Sequence, residues 1–207
     1  MKLPPLHESV VLVDTEYLIQ TIEENLRFYS DLYPKKKFNR LDLANILLSI
    51  ASSAKIETVG KKINIVFLYK PNHGTIPFMN EPNRVSDFIG FTIDPLAIYI
   101  GEDDCTMSLA SFYSDPFSDD DTEYMQEFCQ MLRMAAHNPI TRNILVVADH
   151  ENLNLPLETV LDTTEKNLVV FRASDSQVYV SNPNQNYHYV NFEYVIGLCM
   201  GLEMGEL

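Results

Sequence analysis

Two carboxylates stand where an α/β sheet places its chemistry. The apolar runs Ser9-Val-Val-Leu-Val-Asp14 and Asn143-Ile-Leu-Val-Val-Ala-Asp149 each end in Asp, and each Asp is followed two residues later by a Glu, Glu16 and Glu151. A third acidic group, Asp119, Asp120 and Asp121, opens the helical stretch that leads into the second run. In an open parallel sheet, ligands bind beyond the carboxyl ends of the strands, near the point where the strand order reverses. Right-handed crossovers bring both strand ends to the same edge. Two strand-end carboxylates and an acid at a helix N-terminus can hold Mg²⁺ or Mn²⁺, which take oxygen ligands and keep several waters. Such an ion activates water and neutralises a phosphodiester. The candidate ligands are Asp14, Asp121 and Asp149, and Glu151 joins them as a candidate catalytic acid. The structural alternative is that a strand-end Asp caps the next helix or makes a turn. The Asp119–Asp121 run is equally at home in solvent or at a helix N-terminus.

Charge sets the terms for any substrate. The 207 residues carry 15 Lys and Arg against 29 Asp and Glu, a formal net charge of -14. A generic polyanion binder shows a basic footprint instead. The charge is uneven: residues 1–70 hold 10 basic and 8 acidic residues, and residues 71–207 hold 5 and 21. Lys35, Lys36, Lys37 and Arg40 cluster, followed by Lys55, Lys61 and Lys62. The first cluster is the candidate substrate-binding patch, since such a group can grip phosphates; the alternative is a solvated loop between helices. Tyr187 and Tyr189 could stack bases, or could form a Tyr-rich loop or edge strand.

The elements that position these residues alternate. Ser9–Asp14 predicts a buried strand. Leu18, Ile22, Leu26 and Tyr29 predict a helix over about 15–29, and Pro34 with three lysines predicts a loop. Leu41 to Ala51 predicts a second helix with Asn39 as N-cap, and Lys62–Tyr69 a second strand. Pro, Asn and Gly break up residues 70–86. Leu96–Gly101 and Met107–Tyr113 read as a hairpin around Gly101–Asp104. Tyr124, Phe128, Cys129, Leu132 and Ala136 predict a helix over about 121–137, capped by an Asp or Thr122. A strand to Asp149, a short helix Leu153–Leu161, a strand Asn167–Arg172 and a final helix opening at Asn191 follow. Continuous apolar strands alternating with helices imply a parallel sheet covered on both faces. The expectation is one α/β domain over residues 1–207, a three-layer α/β/α fold of Rossmann-like type with a mainly parallel central sheet. An irregular or antiparallel, insertion-like excursion is expected near 72–118.

Other chemistries find no motif. GxGxxG after a strand, GxxxxGK[ST], GxSxG and HExxH are all absent. Asp14-Thr15-Glu16 is only a partial match to an Asp-x-Asp phosphatase start, with no evident downstream Lys. Cys105, Cys129 and Cys199 are widely spaced and odd in number, which argues against a disulfide framework or zinc knuckle; Cys129 and Cys199 read as small buried hydrophobes. No apolar run approaches the ~20 residues of a membrane span, and the first residues lack a leader's apolar core. The expectation is therefore no membrane and a cytoplasmic location.

The order of motifs resembles the NYN branch of the PIN-like nucleases. Val11-Leu-Val-Asp14-Thr-Glu-Tyr17 is similar to that family's first strand, which ends in Asp, two residues and Asn. Ile144-Leu-Val-Val-Ala-Asp149-His-Glu-Asn-Leu-Asn-Leu-Pro156-Leu-Glu158 is similar to its Gly-Asp-Ser-Asp-Phe segment and Pro-Leu helix. Asp119–Asp121 leading into Tyr124–Ala136 resembles an Asp-bearing family helix. The likeness covers 9–29, 62–70 and 119–200. It implies a PIN-like fold and a metal-dependent ribonuclease that cuts RNA by metal-activated water. Asp14 would be the first Mg²⁺ or Mn²⁺ ligand, one of Asp119–Asp121 the second, and Asp149 with Glu151 the last pair. The sequence also departs from the family: Tyr17 stands for Asn, Ala148 for Gly, Glu151 for Asp and Asn152 for Phe. Those departures motivate an alternative, a catalytically inactive PIN-like module that binds a protein partner or self-associates. Its surface would come from Ile76, Phe78, Met79, Phe88 and Phe91, which could equally be an ordinary covering of the sheet edge. A third reading is a Mg²⁺-dependent phosphatase of Rossmann-like fold.

Overall fold

A computed structural model of the chain describes residues 5–58, 60–70, 74–88, 92–93, 106–113, 121–149, 166–172 and 187–207. The strands are β1 (Ser9–Asp14), β2 (Lys62–Tyr69), β3 (Thr92–Ile93), β4 (Thr106–Tyr113), β5 (Asn143–Val147), β6 (Asn167–Arg172) and β7 (Tyr187–Asn191). The helices are α1 (Thr15–Leu32), α2 (Leu43–Ser53), α3 (Asp121–His137) and α4 (Phe192–Cys199), with a 3-10 turn at Val85–Phe88. All these strands form one sheet in the order β3-β4-β2-β1-β5-β6-β7. Every pair is parallel except β3–β4, which is antiparallel. Without β3, the six parallel strands stand in the order third, second, first, fourth, fifth, sixth. That is the doubly wound order, and its switch point lies between β1 and β5.

The strand alternation divides the core into two layers. Val11, Val13, Ile63, Ile65 and Phe67 face α1, α2 and α4, where Leu18, Ile22, Ile46, Ile50 and Val195 bury. Val10, Leu12, Val66 and Leu68 face α3, where Tyr124, Phe128 and Leu132 bury. Two apolar faces on each strand are why β1 reads as an unbroken apolar run. The three-layer α/β/α fold follows directly.

The structure departs from the sequence reading in three places. Helix α1 runs to Leu32, one turn beyond Tyr29, and ends just before Pro34. The N-cap of α2 is Asp42, whose side chain accepts from the Asn45 N–H at 3.2 Å; Asn39 instead donates its backbone N–H to the Met200 carbonyl. Part of the supposed excursion belongs to the central sheet, because β4 pairs in parallel with β2 over its whole length, Lys62↔Thr106 to Tyr69↔Tyr113. The antiparallel partner of β4 is the short β3, with Thr92↔Ser108; residues 96–101, 114–120 and 153–161 lie outside the described residues. Of the two readings of the apolar group, the covering of the sheet holds: Ile76, Met79 and Phe88 are fully buried, Phe78 packs half-buried against the same core, and the Phe67 and Phe88 rings lie 5.5 Å apart. These side chains cover the sheet rather than presenting a docking patch; Phe91 lies outside the described residues.

Tyr189 sits on the edge strand β7 with the Arg172 guanidinium 4.5 Å from its ring centre. Cys129 is buried and Cys199 half-buried, and burial raises both thiols above their ordinary pKa. Among the described residues no helix is long and apolar enough to cross a membrane. Phe67, fully buried in the second strand, tests the core: Phe67→Ala should cost about 3–5 kcal/mol, read as a lower denaturation midpoint with an unchanged m-value.

Candidate functional site

Three strand ends meet at the switch point. Strand β1 pairs with β2 through Asp14↔Leu68 and with β5 through Val13↔Val147. Asp14 therefore leaves the sheet beside the ends of both neighbours. Asp149 follows β5 by two residues, and Lys70 follows Tyr69, the last residue of β2.

Asp14 is buried, at 8% exposure. Its Oδ1 accepts from the backbone N–H of Glu16 at 3.0 Å and of Tyr17 at 3.4 Å, so it is the N-cap of α1. The same oxygen accepts from the Tyr124 hydroxyl of α3 at 2.6 Å. The Leu68 carbonyl lies 3.1 Å from that hydroxyl. Among the described residues, Oδ2 takes no hydrogen bond. Burial pushes the Asp14 pKa above its ordinary 3.8, against the pull of these three donors. Tyr124 is raised for the same reason first, and then by the neighbouring Asp14 charge. Beside them Lys70 Nζ lies 3.5 Å from Glu16 Oε2 and 5.6 Å from the Tyr124 ring centre. The hydroxyl of Thr15, fully buried, has no hydrogen-bond partner among the described residues.

Asp149 is half-buried and makes an interaction of its own. Ile144, Val146 and Ala148 pack on the α3 face, the face on which Asp14 meets Tyr124. Strand alternation thus gives that face to Ala148 and leaves Asp149 to the turn beyond β5. Asp121 opens α3 as expected; its side chain, and all of Glu151, Asp119 and Asp120, lie outside the described residues. Among the described residues no group of three His, Cys, Asp or Glu could hold a metal ion. Asp14 and Asp149 stand at the carboxyl ends of adjacent strands, Asp14 on the α3 face and Asp149 beyond it in the turn after β5. Mg²⁺ binds through as few as one or two carboxylates with several waters and substrate phosphate, so either acid alone is the kind of ligand it takes.

The basic cluster is placed elsewhere. It begins beyond the C-cap Tyr33, and the 18 residues of α1 separate it from Asp14 by ~27 Å. There Lys36 pairs with Glu206, and Arg40 donates to the Met79 carbonyl at 3.1 Å. Lys35 and Lys37 are exposed. The structure does not bring Lys35, Lys36, Lys37 or Arg40 to the acidic strand ends.

Sequence reasoning missed Tyr124 and Lys70 as members of this group. Tyr124 carries apolar helical spacing and so read as core. A buried Tyr hydroxyl still needs a polar partner, and a strand-end Asp is one. Lys70 is the third polar residue at a strand terminus, next to Asp14 and Asp149, and its position directly after an apolar run was the available signal.

Asn accepts the same hydrogen bonds as Asp and caps a helix equally well. Asp14→Asn should therefore fold. A carboxyl group whose pKa is raised on folding adds stability below its unfolded pKa and loses it as pH rises through the folded value. Wild type and Asp14→Asn should thus have matching stability below pH ~3.8, with the variant gaining relative to wild type as pH rises to 7 in metal-free buffer. Asp14→Ala should lose about 0.5–2 kcal/mol with the cap. Thermal unfolding across pH measures both.

Comparison with known proteins places the chain without giving it an activity. No curated protein and no solved structure matches it, and nothing found links it to NYN or PIN-like nucleases. One family model matches residues 4–206, nearly the whole chain, so the chain belongs to DUF6621, a family of unknown function.

Proposed function

We propose that this chain is a divalent-metal-dependent hydrolase of phosphodiesters, acting on RNA, with its site at the carboxyl ends of β1 and β5. The observation that carries this reading is the position of Asp14: a buried carboxylate, at the switch point of a doubly wound sheet, beside the strand that leads to Asp149. Burial makes this carboxylate costly, and a neutral Asn would cap α1 as well. A charge kept at such a cost suggests a use beyond capping. Asp14 and Asp149 would hold Mg²⁺ or Mn²⁺, with Asp121 and Glu151 as the further acids of the set. The ion, when bound, would supply charge neutralisation at the phosphate and a lowered pKa for water. Tyr124 holds the Asp14 carboxylate in place through Oδ1. Lys70 balances the Glu16 carboxylate at the same edge, and the bound ion would offset part of the repulsion between RNA and a chain of net charge -14.

A second reading is favoured by one specific observation. Among the described residues, every hydrogen bond to Asp14 is structural, joining α1 and α3 to the end of β1. On that reading the fold is an interaction module without catalysis.

Mn²⁺ titration by calorimetry and single-stranded RNA cleavage, on wild type and Asp149→Asn, separate the two. The hydrolase reading expects Mn²⁺ binding between about 1 μM and 1 mM, or about -8 to -4 kcal/mol, and metal-dependent cleavage. Asp149→Asn should lose both while keeping its melting temperature. Intact fold with neither heat nor cleavage would leave the interaction module. Turnover of phosphomonoesters but not RNA would make the enzyme a phosphatase.

A further inference from the structure

Two large apolar side chains stand together on the outer face of α1. Phe28 and Leu32, one helical turn apart, are 61% and 53% exposed. A single exposed apolar residue is ordinary, but these two belong to a larger patch. Tyr194 of α4 and Leu207 of the tail share a groove wall with them. The Tyr194 hydroxyl donates to the sulfur of Met204, which is 76% exposed. A contiguous apolar patch on a strongly charged chain is the mark of an interface.

The charges around the patch say what covers it. Glu24 precedes Phe28 by one turn on the same stripe of α1, and Lys35 and Lys37 follow Leu32 just beyond the helix end; all three are exposed. Arg27 and Asp31, also exposed, lie one above the other on one flank of the stripe. Among the described residues none of these five side chains forms an ion pair within the chain. Glu24 accepts only from the neutral Gln20 amide, at 2.9 Å. Read from the N-terminal end, the stripe is therefore acid, Phe, Leu, base, and turned end for end it complements itself.

We propose that the chain forms a two-fold dimer through this face, with α1 antiparallel to α1 of a second copy. The axis passes midway between Phe28 and Leu32, and every contact is made twice. Phe28 packs on Leu32 of the second copy, Glu24 meets its Lys35–Lys37 loop, and Arg27 meets its Asp31. A parallel pairing would instead set Glu24 against Glu24 and Lys35 against Lys35, which like-charge repulsion disfavours. Phe28 lies roughly 21 Å along the helix from Asp14, so the dimer stands whether or not the strand ends hold an ion.

Sedimentation velocity of the full chain from about 1 to about 200 μM reads the association. Wild type should pass from the mass of one chain to that of two. Phe28→Glu and Leu32→Glu, both at exposed positions, should each weaken the dimer at least about tenfold and leave the melting temperature of the dilute protein unchanged. Glu24→Lys should weaken it about three- to tenfold, and so should Lys35→Glu with Lys37→Glu, since each sets like charges across the axis. The variant carrying all three charge reversals restores opposite signs and should return to within about threefold of wild type. A dimer indifferent to Phe28→Glu, or a triple variant no tighter than Glu24→Lys alone, would overturn the proposal. A chain that stays monomeric throughout the range would leave the patch to another occupant and overturn it as well.

Discussion

One oxygen atom holds together the layers of this fold. Asp14 Oδ1 ends the central strand, caps the helix on one face of the sheet, and receives the Tyr124 hydroxyl from the helix on the other. The three donors make burial of a carboxylate tolerable without removing its cost. The switch point of the sheet is therefore also its electrostatic centre, with Lys70 and Glu16 paired beside it. A ligand bound here, as proposed, would have to negotiate with a group that the architecture already uses. On the function proposed above, the same carboxylate would serve both stability and chemistry, tying the two more closely than in a site built on loops alone.

Around this atom the energetics are ordinary for a doubly wound sheet. Each face of β1 packs against its own helical layer, so Val10 to Val13 are excluded from water on both sides. The tail adds a third kind of tie. Lys36 pairs with Glu206, the Tyr33 hydroxyl donates to the Glu206 carbonyl at 3.2 Å, and Asn39 N–H reaches the Met200 carbonyl at 2.9 Å. The basic loop that looked like a phosphate grip thus spends part of its charge within the fold.

The sheet was legible in the sequence where strands are buried on both faces. Val10–Val13, Ile144–Val147 and Leu168–Phe171 have no polar alternation, and each is a parallel strand. Thr106–Tyr113 mixes Ser and Thr with apolar residues, and so read as half of a hairpin although it pairs in parallel with β2. The final helix was expected to open at Asn191; it opens at Phe192 with Asn191 as its N-cap, whose side chain accepts from Tyr194 N–H at 3.1 Å. Asp42 was passed over for Asn39 because the apolar spacing seemed to begin at Leu41, whose side chain belongs to the core but precedes the helix. At the site, Asp14 and the strand ending near Asp149 were placed correctly at one edge. The partnership of Asp14 with Tyr124, 110 residues apart, carries no local signature and emerges only when the layers close.

The topology also has a temporal consequence. The middle strand is the first in the chain, and its partner β5 lies far downstream: Ser9 pairs with Asn143 across 134 residues. During synthesis β1, α1, α2 and β2 can collapse together, but one edge of β1 waits for most of the remaining polypeptide to appear. Non-local closure of this kind folds slowly, and an unpaired apolar strand invites wrong partners meanwhile. The nascent chain is thus most vulnerable between emergence of β2 and emergence of β5, a window in which a chaperone would find Val10–Val13 as its binding segment.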